Sequence, residues 1–466
     1  MCGILGICNF SALKTIQNCI QAQLNRLQHR GQDSYGYFLI GPSQEHNHIQ
    51  ELGVIREHSN LPDSFIGIGH TRYATSYQGD KKSNLSNSEN IQPVFIQNKL
   101  AYCFNGNINN LSQLVIDFEL TDSQDKTDTQ ILTEILTKYH STGLENLLVK
   151  MVNTIQGVFN LLVLDTQNNN LYGLKDLSGN RPLCLGQNEQ GLCLASESVA
   201  LGDYEYQREL EAGEIICLSP EGFRNVSLPP YRKSKSNRKQ VCLFEYIYLQ
   251  RKETKVSETI TVEDLRIDFG EELARQEKLK IDKNNKKDIL VIGAPNTGIP
   301  IGESFARCLD IPYGQFLQKR RGALRSFIKS NNESRLDEIK RKFQIDERYS
   351  IKDKIVFFVD DSLVRGNTVS VIIKLLLEYE PREIHFRIAS PEVKNPCYFG
   401  VDIPTSEELI MNHYSISELT SKLGLQSLQF LQTENMSYVL RKKLGLDPSE
   451  ICQACFTGKY SPYLDF

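Results

Sequence analysis

The stretch that constrains this chain most is residues 355–368, Ile-Val-Phe-Phe-Val-Asp-Asp-Ser-Leu-Val-Arg-Gly-Asn-Thr. The unbroken apolar run from Ile355 to Val359 reads as a short buried strand. Two adjacent carboxylates, Asp360 and Asp361, follow it, then small and hydroxyl-bearing residues around Gly366. Residues 369–379 resume with the apolar spacing of a helix. A strand–loop–helix unit of this kind suits a sugar phosphate, because backbone N–H groups at a glycine turn and a helix N-terminus attract phosphate oxygens. Ser362, Arg365 and Thr368 add donors, while Asp360 and Asp361 can accept from vicinal ribose hydroxyls or approach a divalent ion. Composition alone also admits an ordinary strand-to-helix turn in which the Asp pair caps the helix.

A second unit of the same form lies upstream. Residues 289–292 read as a buried strand, Gly293-Ala294-Pro295-Asn296-Thr297-Gly298 as a glycine-bracketed loop, and residues 300–309 as a helix. Two such loops at the carboxyl ends of neighbouring strands make a plausible binding site at a sheet switch point. Between the units runs Gln318-Lys319-Arg320-Arg321-Gly322-Ala323-Leu324-Arg325, a cationic stretch suited to an anionic substrate.

At 466 residues the chain is too long for one core, so at least two domains are expected, divided near residues 1–230 and 241–466 by a Pro-, Ser- and Lys/Arg-rich connector over 229–240. A net charge of -4 gives no global basic field for nucleic acid, and no apolar run approaches the roughly 20 residues a spanning helix needs. Neither nucleic acid nor membrane is expected as a partner. Met1-Cys2-Gly3 runs straight into folded-looking sequence, so no leader is expected. Twelve cysteines in a large chain of this kind fit a reducing, cytoplasmic setting.

Cys2 stands out in the first half. With Met1 trimmed it would carry its own base, since an α-amino group titrates at about 7.7–8.0 and a thiol at about 8.5. It can equally be a small apolar residue on a strand over 2–8. Further along come residues 26–34 (Arg-Leu-Gln-His-Arg-Gly-Gln-Asp-Ser), Gly69-His70-Thr71-Arg72-Tyr73-Ala74-Thr75 after a strand beginning near Phe65, Phe104-Asn105-Gly106-Asn107-Ile108 at the end of a strand over 99–104, and Asp128 ahead of a helix.

In this order and spacing, these segments resemble the glutamine-hydrolysing domain of the class II, N-terminal-nucleophile amidotransferases. Residues 355–368 resemble the phosphoribosyl pyrophosphate (PRPP) signature of type I phosphoribosyltransferases. Nearly the whole chain resembles the glutamine PRPP amidotransferase family. The resemblance implies a four-layer αββα sandwich followed by a parallel-sheet phosphoribosyltransferase domain. It assigns Cys2 as nucleophile and Asn105 with the Gly106 N–H as oxyanion donors. Arg72, Thr75 and Asp128 would bind glutamine. Asp360, Asp361, Ser362, Arg365, Gly366, Asn367, Thr368, Lys319, Asn296, Thr297 and Gly298 would bind PRPP, with Mg²⁺ near the aspartates. The implied reaction is the first step of de novo purine synthesis: glutamine is hydrolysed and its ammonia displaces pyrophosphate from C1 of PRPP, giving 5-phosphoribosylamine.

The chain departs from the family pattern in places. Asn296 stands where an acid is usual, Gly322 and Leu324 replace the channel tyrosine and a glycine, and Gln250-Arg251-Lys252-Glu253-Thr254 replaces Ala-Arg-Pro-Asp-Ser. These positions couple the two sites. A diverged relative in a specialised pathway, an uncoupled glutaminase and a silent nucleotide-binding scaffold are therefore the competing readings.

Cys452-Gln453-Ala454-Cys455 is a thiol pair that by itself could be redox-active or half of a zinc site. The resemblance joins it to Cys242 and Cys397 as the four ligands of a [4Fe–4S] cluster. It also implies purine-nucleotide feedback inhibitors and a homodimer or homotetramer. The other cysteines, Cys8, Cys19, Cys103, Cys184, Cys193, Cys217 and Cys308, read as core filler. Residues 415–423 and 428–444 read as amphipathic helices, the first with a Ser415/Glu418 capping box.

Overall fold

The computed structural model describes residues 1–11, 15–73, 90–121, 126–226, 240–283, 285–319, 343–346, 348–403 and 405–460. Thr75, Arg321, Gly322, Leu324, Arg325 and nearly all of the basic connector lie outside them.

The first half is a sandwich of two antiparallel sheets. One holds seven strands in the order Glu205–Glu209, Cys184–Gln187, Gly191–Ala195, Gly3–Asn9, Ile66–Arg72, Ser34–Ile40, His46–Leu52. The other holds six, in the order Gly222–Asn225, Ile215–Ser219, Asn170–Lys175, Gly157–Asp165, Leu100–Ile108, Val94–Ile96. Alternation along the central strands divides their side chains between two cores. Ile4 and Ile68 face the other sheet and meet Ala101, Leu162 and Leu164. Leu5 and Ile7 face outward and are covered by Ile20 and Leu24 of the helix Gln17–Arg26. The far side of the second sheet is covered by the helices Leu111–Asp117, Asp128–Tyr139 and Leu144–Thr154 through Leu114, Ile131, Ile135 and Leu148. This is the expected order of layers, helix, sheet, sheet, helix. It explains why the strands read as continuous apolar runs: both faces are buried.

The second half is built on a four-stranded parallel sheet, ordered Ile289–Gly293, Ile355–Asp360, Glu383–Ile388, Ser427–Phe430. Phe357 packs on one side with Phe305 and Phe269 from the helices Gly298–Leu309 and Val262–Arg275. Phe358 packs on the other side with Ile372, Ile373 and Leu376 of the helix Asn367–Leu377. The two expected loops thus leave the carboxyl ends of adjacent strands.

Two expectations about elements are corrected. Residues 428–444 are not one helix: Ser427–Phe430 is the edge strand of the parallel sheet and only Thr433–Leu444 is helical. Leu428 and Phe430 are two apart and both buried, a strand period that a four-residue run cannot reveal against the helical pattern after it. Asn105 and Gly106 do not follow their strand but lie within it, because Leu100–Ile108 stays paired with Gly157–Asp165 to its end. The capping box of Ser415 and Glu418 is present, opening the helix Ile416–Leu423.

The halves meet in a small joint. Val241–Cys242 pairs in parallel with Ile451–Cys452, tying the far end of the chain to the start of the second half. A π-type helical turn, Glu245–Leu249, follows. Its Glu245 and the first half's Glu197 are both buried, and Arg30 bridges them at 2.8 Å and 2.5 Å.

Candidate active sites

Cys2 enters the strand Gly3–Asn9, which pairs with Ile66–Arg72. Its thiol is partly buried and points to the Tyr73 carbonyl at 3.9 Å. The Arg30 guanidinium donates to the Cys2 carbonyl at 3.2 Å and fixes the backbone there. Burial opposes ionisation of the thiol, but His70 beside it, together with the α-ammonium, brings its pKa down to about 6. That α-ammonium belongs to Met1, and burial likewise lowers it to about 5. A thiol so poised is substantially thiolate at neutral pH.

Two side chains on the neighbouring strands Ile66–Arg72 and Leu100–Ile108 have buried polar atoms with no hydrogen-bond partner. Asn105 is almost wholly buried, and its Nδ2 has no acceptor; the Arg72 Nη1 is in the same condition. An unmatched buried donor costs about 1–3 kcal/mol, so donors of this kind mark where a substrate's oxygens go. Gly106, next along the strand, cannot be replaced: a Cβ there would lie 2.3 Å from the Val158 carbonyl oxygen. Arg72 ends its strand, and the turn at Gly31 packs directly on its backbone, where a Cβ would approach to 2.5 Å.

Asp128 is the first residue of the helix Asp128–Tyr139, behind a Thr127–Gln130 capping box. Its carboxylate accepts from the Ile108 N–H at 2.9 Å, at the end of the strand that carries Asn105. Burial raises its pKa to about 6 despite that bond. A half-buried carboxylate with only backbone donors is suited to an ammonium. The structure therefore gathers Cys2, Arg72, Asn105, Gly106 and Asp128 on adjoining elements. It adds His70, buried between the sheets, to which sequence reasoning gives no role although it stands two residues before Arg72 in the same motif.

In the second half, Asp360 ends its strand and Asp361 is buried behind it. Asp360 Oδ1 accepts from the Asp361 N–H at 2.8 Å. The Asp361 carboxylate accepts from Ser362 Oγ at 2.5 Å and from the Thr297 hydroxyl, so the two expected loops are joined. Burial and the neighbouring carboxylate push Asp360 well above the usual range; burial also raises Asp361, against the pull of Ser362, Thr297 and Arg266.

The loops fit closely. A Cβ on Gly298 would stand 2.7 Å from the Val359 carbonyl. Gly366 takes φ +75° as it opens the helix Asn367–Leu377, leaving Asn367 and Thr368 exposed at the N-terminus. The first N–H groups there have no intrahelical acceptor. Asn296 is exposed at its loop and Lys319 is exposed at the end of the strand Leu317–Lys319. Arg365 turns from the phosphate cradle toward Glu408 at 2.9 Å and Asp402 at 3.6 Å.

Cys242, Cys397, Cys452 and Cys455 share one neighbourhood at the joint. The thiols bear electrostatically on one another, and burial holds all four above their ordinary range. Cys242 and Cys452 stand opposite each other on the parallel pair. Among the described residues, no three His, Cys, Asp or Glu side chains are grouped as ligands of one metal ion. Of the remaining cysteines, Cys308 is exposed, contrary to the expectation of core filler; it sits on the outer face of its amphipathic helix. All the cysteines are free thiols.

An antiparallel sandwich with an acidified thiol at the start of a central strand, joined to a parallel sheet with a twin-aspartate loop, defines a glutamine amidotransferase fused to a phosphoribosyltransferase. Residues 81–203 match the glutamine amidotransferase domain family and residues 266–390 the phosphoribosyl transferase domain family. The chain is 30% identical to the amidophosphoribosyltransferase of Archaeoglobus fulgidus, covering 99% of this chain and 98% of that one. It is 32% identical to the chloroplastic amidophosphoribosyltransferase 1 of Arabidopsis thaliana, over 98% of this chain and 78% of the other. A solved structure of the Bacillus subtilis glutamine PRPP amidotransferase, complexed with ADP and GMP, superposes with a TM-score of 0.83 at 28% identity, covering 98% and 97% of the two chains. The chain belongs to the amidophosphoribosyltransferase family, and it is a glutamine-dependent, pentosyl-transferring enzyme. No helix among the described residues is long and apolar enough to cross a membrane.

Proposed function

We propose that the chain makes 5-phosphoribosylamine from glutamine and PRPP, at two sites assigned residue by residue, as the opening step of purine synthesis. The observation that carries the assignment is the pair of buried, acceptor-less donors, Arg72 Nη1 and Asn105 Nδ2, beside an acidified Cys2 thiol. Arg72 clamps the substrate carboxylate as a fork, Asp128 takes the α-ammonium, and Cys2 attacks the side-chain amide. Asn105 and the Gly106 N–H hold the oxyanion, worth about 2.7–4 kcal/mol per donor in comparable sites. Thr75 completes the carboxylate contacts. Ammonia released from the thioester step passes to the second site.

There, Asp360 and Asp361 hold the ribose, and residues 362–368 hold the 5′-phosphate on the helix N-terminus. The loop Asn296, Thr297 and Gly298 and the cation of Lys319 face the diphosphate. Ammonia bonds to C1 as the C1–O bond to pyrophosphate breaks, and an ammonium proton is lost. The residues fit a divalent ion: two adjacent carboxylates, Asp360 half-buried and Asp361 buried, each with a raised pKa, are relieved by a cation. Mg²⁺ bound there would neutralise charge on the leaving diphosphate.

The four cysteines fit a [4Fe–4S] cluster. Cys242 and Cys455 are buried and Cys397 and Cys452 half-buried in one neighbourhood at the joint, and these four thiols would be the ligands. The Arg181 guanidinium is buried beside them, its Nε without a hydrogen-bond partner and its Nη1 3.6 Å from Glu245, and it would supply compensating charge. The group would be structural, locking the far end of the chain to the joint. Further parts of the proposal are the division into residues 1–230 and 241–466, regulation by purine nucleotides, a homodimer or homotetramer, and a cytoplasmic location.

The test is direct. PRPP-dependent release of glutamate and pyrophosphate in equal amounts is expected, with free ammonia able to replace glutamine. Cys2→Ala is expected to abolish glutamine use and spare ammonia use; loss of both together would overturn the two-site assignment. A brown anaerobic preparation with about four irons per chain is expected, and a colourless zinc protein would remove the cluster.

A further inference from the structure

The imidazole of His70 is absorbed by none of the roles above. It is fully buried, and its Nε2 lies 3.2 Å from the Phe104 carbonyl oxygen, the residue before Asn105. A carbonyl only accepts, so Nε2 carries the proton in that bond. In the neutral ring Nδ1 is then a bare lone pair; no group stands at full hydrogen-bonding distance from it, and the Cys2 thiol is the side chain that interacts with the ring. A buried acceptor left unmatched is as costly as a buried donor.

Strand register says what it faces. His70 stands directly opposite Ile4, whose side chain lies in the layer between the sheets. Cys2 precedes Ile4 by two residues and so shares that face, diagonal to His70, within reach of a long or aromatic side chain. Of the ionisable groups that bear on the Cys2 thiol, His70 is the strongest. The others nearby are the α-ammonium, with Arg30, Arg181 and Asp402 around it, and the Cys103 thiol on the facing sheet.

We propose that His70 is a second proton acceptor for the nucleophile: its Nδ1 takes the Cys2 thiol proton while Nε2–H stays anchored on Phe104. The S–H bond breaks and an N–H bond forms on Nδ1; the sulfur pair then attacks the glutamine amide carbon. As the tetrahedral intermediate collapses, the imidazolium returns that proton to the departing nitrogen, which leaves as ammonia. Nothing outside the chain and substrate is needed. The α-amino group that Cys2 carries once Met1 is trimmed is then one of two bases, and the nucleophile does not depend on it alone. The same anchor links the base to the oxyanion strand, so the sulfur and the Asn105 amide keep their spacing. This rests on Cys2 being the nucleophile.

The test is the pH dependence of Cys2 alkylation by iodoacetamide in the full-length protein, without glutamine or PRPP. It is followed by peptide mass in a Cys308→Ser background to remove the exposed competing thiol. The wild-type midpoint is expected at about pH 6; below a midpoint the thiolate fraction falls about tenfold for every pH unit. His70→Gln keeps a donor for the Phe104 carbonyl but cannot take a proton. It is expected to move the midpoint up by at least about one pH unit and slow alkylation at pH 6 about tenfold. His70→Asn serves in the same way where the Gln variant fails to fold. An unchanged midpoint in either variant overturns the proposal, and a wild-type midpoint at or above about 8.5 does so with no variant at all. Failure of the nucleophile assignment looks different: Cys2→Ala would then retain glutamine hydrolysis.

Discussion

The Tyr73 hydroxyl donates a 2.7 Å hydrogen bond to Asp402 Oδ2, across the boundary between the two halves. Tyr73 follows Arg72, and its carbonyl is the acceptor facing the Cys2 thiol. Asp402 faces Arg365 of the twin-aspartate loop at 3.6 Å. One carboxylate thus touches both catalytic regions. Tyr73→Phe removes only the hydroxyl. Loss of a hydrogen bond to a charged group, about 1.5–3 kcal/mol, is expected to weaken the stimulation of glutamine hydrolysis by PRPP about tenfold or more. Ammonia-dependent synthesis should be unchanged. Equal loss of both activities would show that the contact supports structure rather than communication.

Asp128 gives glutamine use a pH dependence of its own. Burial raises its pKa to about 6, so the carboxylate loses its charge as pH falls through that value. The KM for glutamine is expected to rise about tenfold per unit below pH 6. Synthesis from ammonia, at fixed free NH₃, should not follow. Stability runs the other way. A folded-state value above the unfolded one of about 3.9 means stability is fully present below that pH and falls as pH rises through about 6. Asp128→Asn is therefore expected to stabilise the protein at pH 7 by on the order of 1 kcal/mol in urea unfolding while destroying glutamine binding. A destabilised variant would show that the carboxylate is held by more than the Ile108 N–H.

The joint is held by charge in a dry place. Burial works against ionisation of Glu197, yet His29 and Arg30 outweigh it and hold the carboxyl well below its usual range. Glu197 also accepts from the Arg251 N–H at 2.9 Å and the Thr254 hydroxyl at 2.7 Å. Arg30→Met leaves two buried carboxylates, Glu197 and Glu245, without their shared cation. A loss of about 3–5 kcal/mol is expected in denaturant unfolding. For a depressed carboxyl, stability is present above the unfolded value of about 4.3 and is lost as pH falls toward the folded value. The wild-type protein should therefore lose stability below about pH 4.3, and the variant should show less of that acid sensitivity. An unfolding midpoint insensitive to Arg30→Met would remove this network from the account of the joint.

The strand–loop–helix at residues 355–368 is legible in the sequence because its signal is local: an apolar run, two acids, a glycine at φ +75° and a helical period follow in order. So is the order of the amidotransferase segments. What cannot be read is what depends on partners far along the chain. The Ser427–Phe430 strand exists because Glu383–Ile388 offers it an edge. The Val241–Cys242 ladder needs a partner at the far end of the chain, Ile451–Cys452. Glu245 stands three residues after Cys242 with nothing local to distinguish it. Yet it carries half of the ion network, because Arg30 and Arg181 reach it from the other half. His70 is hidden for the same reason: only the register between two neighbouring strands of one sheet reveals that it and Cys2 share a face. A buried polar residue within an apolar strand is the one available signal.

The paired carboxylates of Asp360 and Asp361 supply the last prediction. Burial, then mutual repulsion, raises Asp360; burial raises Asp361 as well. Both folded-state values lie above the unfolded one, so stability is greatest below about pH 3.9 on this account and falls as pH rises through them. At pH 7 the two neighbouring charges are unfavourable, and a cation and a polyol relieve them. Asp361→Asn removes one charge and keeps an acceptor oxygen for one of the Ser362 and Thr297 hydroxyls, the other turning to accept from the amide N–H. It is expected to raise the thermal midpoint of the ligand-free protein at pH 7 and to abolish PRPP-dependent pyrophosphate release with either nitrogen source. PRPP with Mg²⁺ should raise the wild-type midpoint, by the equivalent of about 2.7 kcal/mol at roughly a hundred times Kd, and leave that of the variant where it was. A wild-type midpoint unmoved by saturating PRPP and Mg²⁺ would mean that the twin-aspartate loop does not bind the sugar phosphate, and the second catalytic site would have to be sought elsewhere.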